Sequence, residues 1–319
     1  MTTQIPTLGV IVPTIGDRPE LKRLLLSVLS QSRPVQAICV VVDARETTLV
    51  DGILEEIRDQ LGSTHMEVIS TGADRSEGAY LVETGYGFAV NRGLETLDTE
   101  LVAFLDDDDE IRPSHFAQLE AALDPAAGKG AAYCRVLVVS RDGKTRLFQQ
   151  GNLPQGKIRA AVLIGSHPVL LPATLIHRSV LDEVVGLDET LDRKADTDMV
   201  VRLGHATEFV GVDDPTYVYH RTSHGSVVHD RALTEMTQLL RKHQDLMNNR
   251  ERWIAWDALA RSSLRSDLPE VAREAAKQAI AVFWSNPPGF AVSLYLWVRG
   301  LRTPQFVKRL AIKGPGKAQ

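Results

Sequence analysis

The sequence predicts an α/β protein: a mainly parallel sheet flanked by helices, with a C-terminal α-helical extension. Two observations carry this. Over the first half, short β-branched apolar runs alternate with segments of helical periodicity, the pattern of βαβ units. Beyond about residue 230 the strand-like runs stop and helical patterning continues alone. The sequence therefore divides into a sheet domain, 1–229, and a helical region, 230–319.

Leu8–Val12 is almost wholly apolar, as a strand buried on both faces must be. It ends at Pro13 and Thr14. Asp17 is then expected as a helix N-cap, with Pro19 in the first turn and Glu20 three residues on. Leu21, Leu24, Leu25, Val28 and Leu29 repeat at helical spacing, so one face of that helix packs on the sheet. Ala37–Val42 is the second strand, with Asp43 at its end. A helix through Ile53 and Ile57 leads to a third strand, Met66–Ser70. Thr71–Thr84 is polar and is expected as a loop. A helix over Gly87–Leu97 precedes strand Leu101–Leu105, which runs into Asp106, Asp107, Asp108, Asp109 and Glu110. Asp142 and Gly143 mark a hairpin between Ala131–Ser140 and Thr145–Gln149. Less regular sequence follows, with strands expected at Thr174–His177 and Glu208–Val212 and a helix at Ala195–His205.

Bulk properties exclude some functions. The net charge of −5 over 319 residues leaves no general basic footprint for nucleic acid. Cys39 and Cys134, the two cysteines, sit in apolar runs and are expected as buried free thiols. No apolar run is long enough for a membrane span, so the expected location is cytoplasmic. The last residues pair Arg299, Arg302, Lys308, Arg309, Lys313 and Lys317 with Trp297, Phe306 and other aromatics. Such a tail suits peripheral contact with the inner face of a membrane, or packing in a homo-oligomer.

Ligands of open α/β sheets bind beyond the carboxyl ends of the strands. Thr14, Asp43 and the aspartate run fall at three such ends. Four adjacent aspartates at the end of a core strand repel one another unless a cation offsets them. All-oxygen ligands suit Mg²⁺ or Mn²⁺, completed by water and substrate phosphates.

These residues also carry a family resemblance. Val10 to Thr14, then Leu21-x-x-x-Leu25-x-Ser27-x-x-x-Gln31, then Val40 to Asp43 resemble the opening of glycosyltransferase family 2. Gly87 to Gly93 followed by Val102 to Asp109 resembles its Gly…Ala-Arg-Asn-x-Gly helix and Leu-Asp-x-Asp-Asp metal motif. Val185 to Glu189, then Ala195, Asp196, Asp198, Arg202 and Leu203, resemble its Gly-Phe-Asp-Glu and Glu-Asp-x-Asp-Leu-x-x-Arg-Leu segments.

The resemblance implies a GT-A fold and an inverting transferase that moves a sugar from a nucleotide diphosphate sugar, UDP- or dTDP-linked, to an acceptor hydroxyl. It implies that Pro13, Thr14 and Asp43 contact the nucleoside and that Asp106 and Asp107 lie at the nucleotide. Asp106, Asp108 and Asp109, with His220, are the expected ligands of Mn²⁺ or Mg²⁺. Asp196 is the expected base. Ala195 stands where the family carries an acid, so Asp198 is the alternate base. Arg92 stands one place beyond the family's arginine, and Asp74 and Arg75 in the long polar Thr71–Thr84 loop are expected to supply the missing donor contact, Arg75 at the nucleotide. His167, His224 and His229 are weaker metal candidates. The acceptor is a glycan, a lipid-linked molecule or a small molecule.

Competing readings fail on specific grounds. A dehydrogenase needs a Gly-x-Gly-x-x-Gly turn after the first strand, where this chain has Pro13 to Asp17. A phosphoesterase needs further His and Asp ligands at other strand ends. Two alternatives stay open: a nucleotide-sugar-binding scaffold without catalysis, and a metal-dependent nucleotidyltransferase.

Overall fold

Among the described residues, nine strands join in one sheet, in the order β3-β2-β1-β4-β8-β6-β9-β5, with β7 paired to β6. The computed structural model describes residues 5–73, 85–191, 193–221 and 229–284. In chain order the strands are β1 Leu8–Thr14, β2 Ala37–Val42, β3 His65–Ser70, β4 Leu101–Phe104, β5 Glu110–Ile111, β6 Ala131–Val139, β7 Thr145–Leu147, β8 Thr174–His177 and β9 Phe209–His220. The first four pair in parallel. β8 runs antiparallel to both β4 and β6, and β9 is parallel to β6. The carboxyl ends of β1, β2, β4, β6 and β9 therefore open on the same edge of the sheet.

Burial explains why the central strands read as continuous apolar runs. Every residue of β1 is buried, as are all four of β4, because helices cover both faces. Helix α1, Leu21–Leu29, lays Leu21, Leu24, Leu25 and Val28 into the core. α2 is Thr48–Ile57 and α3 is Tyr86–Thr96. α3 approaches the sheet so closely that a Cβ on Gly93 would lie 2.6 Å from Ile11 and 3.2 Å from Val41. Glycine is required there by contact. α4, His115–Ala122, follows the aspartate run, and α6, Arg178–Val184, and α7, Ala195–Ala206, follow α5, Ala160–Ser166.

Two local expectations are revised. Asp17 does not cap α1: that helix begins at Leu21, with Glu20 at the cap position and no side-chain cap bond. The preceding residues form turns, and Arg18 reaches to the aspartate run instead. β9 extends well past Val212, to His220. It does so by a bulge in which two steps on β6, Cys134 to Val136, oppose five on β9, Val212 to Tyr217. α5 and the short β5 had no sequence signal strong enough to place them.

Cys39 and Cys134 are buried free thiols on separate strands. His115 is also wholly buried. One ring nitrogen, Nδ1, lies 2.9 Å from the Thr216 hydroxyl, while Nε2 has no partner among the described residues. Burial pushes its pKa down to about 3. Unfolding restores an ordinary value near 6.5, so the imidazole adds full stability above that pH and loses it as pH falls toward 3. Between pH 7 and pH 5 this one group should cost the native state about 2 kcal/mol. Urea titrations should show that loss in the wild type and a smaller one in His115→Asn.

The contacts divide the chain into two compact units: 1–158 with 168–225, and 159–167 with 226–319. The first holds the sheet. In the second, α8 His229–Lys242, α9 Asn249–Arg265 and α10 Pro269–Trp284 pack together with α5. α9 opens with a capping box between Asn248 and Glu251, and Trp256 is its buried anchor. Among the described residues no helix is long and apolar enough to cross a membrane. The basic aromatic tail lies outside the described residues beyond Trp284.

Candidate active site at the strand ends

Thr14, Asp43 and the aspartate run occupy the ends of the adjacent strands β1, β2 and β4. The Thr14 side chain bonds Asp107, tying the end of β1 to that of β4. Its Oγ1 also accepts the Gly16 N–H at 3.1 Å, shaping the turn after β1. Pro13 lies in the β1 pairing with Val41. Asp43 is buried at the mouth of β2. Its Oδ1 accepts from the Thr71 hydroxyl at 3.0 Å and its Oδ2 from the Gly85 N–H at 2.8 Å. One carboxylate thus fixes both the exit of β3 and the start of α3.

The four aspartates divide by environment. Asp109 is fully buried and spends both oxygens on β9: Tyr217 donates its hydroxyl at 2.6 Å and His220 its backbone N–H at 2.8 Å. This geometry makes Asp109 the fastener between the β4 end and β9, in contrast to the ligand role expected of it. Burial raises its carboxyl to about 7 despite those two bonds. Asp107 is pushed to about 6, again chiefly by burial, with the Thr14 bond and Arg18 opposing. Asp106 retains partial exposure and is held well above the carboxylate range by desolvation and by Asp109, Asp108, Asp107 and Asp196 around it.

Two arginines neutralise part of this charge. Nη1 of Arg18 lies 2.9 Å from Asp107 Oδ1 and 2.8 Å from Asp108 Oδ2. Burial disfavours the Arg18 cation, but Asp107, Asp108, Asp17 and Asp106 outweigh it. Arg23 donates to the Asp108 carbonyl and lies 3.5 Å from Glu110. His220 Nε2 is 3.2 Å from that same Glu110 carboxylate. It therefore sits beside the run, on β9.

Among the described residues no three His, Cys, Asp or Glu side chains converge closely enough to hold an ion unaided. Two oxygen donors completed by substrate phosphates are nonetheless a usual arrangement for Mg²⁺. Asp106, partly exposed beside Asp108, presents carboxylate oxygens of the kind such an ion binds.

Asp196 and Asp198 separate clearly. Asp198 is fully buried and pairs with Arg202 Nε at 2.8 Å, one turn along α7. Arg202 in turn donates to the Val184 carbonyl at the end of α6. Asp196, in the first turn of α7, keeps partial exposure. It is close enough to Asp106 and Tyr86 for its charge to raise both. Tyr86 begins α3 and is pushed well up by burial and by these two carboxylates. Asn91, further along α3, holds the loop before α7: its amide donates to the Leu187 carbonyl at 3.0 Å and to Glu189 at 2.7 Å, and its Oδ1 accepts the Leu187 N–H at 2.8 Å. A Cβ on Gly186 would strike that Oδ1 at 2.6 Å.

The structure thus brings together Thr14, Asp43, Asp106, Asp107, Asp108 and Asp196, with His220 at the margin. Arg92 points elsewhere, pairing with Glu95 at 2.8 Å and covering the Phe88 ring. His167 belongs to the helical unit, in a left-handed turn. Asp74, Arg75 and His224 lie outside the described residues, and His229 opens α8. Arg18, Arg23 and Tyr86 were not anticipated. Arg18 had a signal, since a cation in the turn after β1 faces whatever follows β4.

The model of the family described as "Glycosyl transferase family 2" matches residues 9–185. No curated protein matches the chain. Among solved structures, a mannosyltransferase from Pyrobaculum calidifontis, PcManGT, in complex with GDP-Man and Mn²⁺ is 17% identical, with a TM-score of 0.58, over 93% of this chain and 83% of that one. S. aureus TarS 1-349 in complex with UDP-GlcNAc is 16% identical, with a TM-score of 0.57, over 87% of this chain and 89% of that one. At such identity these structures show a shared fold. The family match covers more than half the chain and contains β1, β2, β4 and the aspartate run, so the chain belongs to glycosyl transferase family 2 and is a glycosyltransferase.

Proposed function

We propose that this glycosyltransferase is inverting and uses a divalent ion, a nucleotide diphosphate sugar donor and Asp196 as its base. The observation that carries this reading is the position of Asp196: partly exposed, in the first turn of α7, and close enough to Asp106 for its charge to act there. Similar folds bind UDP-GlcNAc in one case and GDP-Man with Mn²⁺ in another, which supports the donor class. We assign the transferase to residues 1–229 and a helical appendage to 230–319.

Asp106 and Asp108 would hold Mn²⁺ or Mg²⁺, whose charge would offset that on the departing diphosphate. Thr14 and Asp43 position the nucleoside, with the Asp43 carboxylate accepting a ring N–H. Asp196 takes the proton of the acceptor hydroxyl as its oxygen bonds to the anomeric carbon. The bond from that carbon to the phosphate oxygen breaks on the opposite face, and its electron pair leaves with the nucleoside diphosphate. Displacement from behind inverts the anomeric centre. The partial exposure of Asp196 lets an acceptor reach it. The acceptor is a glycan, a lipid-linked molecule or a small molecule.

Thermal unfolding with UDP, dTDP, GDP and CMP, each with and without Mn²⁺, tests the donor reading, because a ligand of the native state raises the midpoint by mass action. UDP or dTDP with Mn²⁺ should give the largest shift. A larger shift with GDP overturns the pyrimidine assignment. Binding without turnover of any nucleotide sugar would favour a scaffold.

A further inference from the structure

The cation that the aspartate run already holds is Arg18. One nitrogen, Nη1, bridges Asp107 and Asp108 at 2.9 and 2.8 Å. The buried Nε of the same guanidinium has no partner among the described residues, so the group is held by charge more than by a full set of hydrogen bonds. A permanent structural arginine usually satisfies its donors in a forked, two-nitrogen arrangement. Arg18 also lies in the irregular connection between β1 and α1, where backbone torsions are not locked by helix or ladder.

We infer that Arg18 is a displaceable counter-cation, which occupies Asp108 while the site is unloaded and must leave it before a divalent ion can bind there. This inference rests on the reading of Asp106 and Asp108 as metal ligands. A guanidinium nitrogen at 2.8 Å from Asp108 Oδ2 and a dication bound to that oxygen would stand only a few ångströms apart, and like charges that close repel. Metal loading and release of Arg18 are therefore one exchange. The freed guanidinium keeps its charge beside the place where a diphosphate would lie, so ion and donor should bind better together than either does alone. The apparent affinity for the ion alone is reduced by the fraction of molecules in which Arg18 still holds Asp108.

Mn²⁺ titration followed by electron paramagnetic resonance, without nucleotide, tests this on the full chain. Arg18→Gln should bind Mn²⁺ about tenfold more tightly than wild type, and Asp108→Ala should abolish binding in both backgrounds. In thermal unfolding, Mn²⁺ should raise the midpoint of Arg18→Gln more than that of wild type. Arg18→Lys, which keeps a charge at the site, should fall between them and carries the test if the glutamine variant does not fold. Equal affinities in wild type and Arg18→Gln, both lost with Asp108→Ala, would overturn the exchange and leave the metal reading standing. Weaker binding in Arg18→Gln would overturn it too, since Arg18 would then build the site. If none of the proteins bind Mn²⁺ even with UDP present, the metal reading fails and takes the exchange with it.

Discussion

Asp196→Asn is expected to lower kcat for sugar transfer by about 10²–10⁴-fold, the range for a lost general base, with little change in the KM for the donor. The amide keeps the size and the helix-terminal place of the carboxylate but cannot take a proton. Asp198→Asn should behave differently. It breaks a buried ion pair and strands Arg202, whose Nη2 already lacks a partner among the described residues. Such a change typically costs 3–5 kcal/mol of stability, roughly. Steady-state kinetics beside urea unfolding distinguish the two. Near-normal turnover in a folded Asp196→Asn protein would move the base elsewhere.

The second large effect is expected at Asp108. Asp108→Ala should lower kcat by about 10²–10³-fold, as removal of one electrostatic contact to a developing charge does, and should remove the thermal shift produced by Mn²⁺ with UDP. Circular dichroism should show an unchanged fold, because Arg18 keeps its bond to Asp107 and the Asp108 backbone carbonyl is untouched. Asp109→Asn is the useful contrast. Its carboxylate receives the Tyr217 and His220 bonds, so its loss should appear as a lowered unfolding midpoint. Full activity in Asp108→Ala without added metal would sink the proposed metal chemistry.

Much of this fold was legible in the sequence because burial writes a plain code. A strand covered on both faces must be apolar at every position, so β1, β2 and β4 announced themselves, and the polar residue that ends each marks the site. The strand-end rule alone puts Thr14, Asp43 and the aspartates together. What stayed hidden depends on direction. Spacing cannot show that Asp109 turns inward to β9 while Asp106 does not, nor that Asp198 is consumed by Arg202. Both are decided by partners nearby in space and distant or ambiguous in sequence. The β9 extension was missed for a related reason: the polar Asp213 and Asp214 and then Pro215 follow the apolar run, and the ladder passes them through a bulge. The expected Asp17 cap failed because the turn that carries it is drawn toward the charge on β4.

The order of the central strands has a last consequence. Asp43 ends β2, the aspartates follow β4, and β1 lies between them, so the two ends of the cleft are separated by two strand spacings, about 10 Å. The sheet acts as a gauge measured across its hydrogen bonds, set by backbone geometry and indifferent to side-chain rearrangement. In the donor placement proposed above, a leaving nucleoside diphosphate would still span the whole gauge after its sugar had gone. It would keep every grip the donor had on the strands, so product inhibition would follow from the scaffold, with emptying of the cleft a natural brake on turnover.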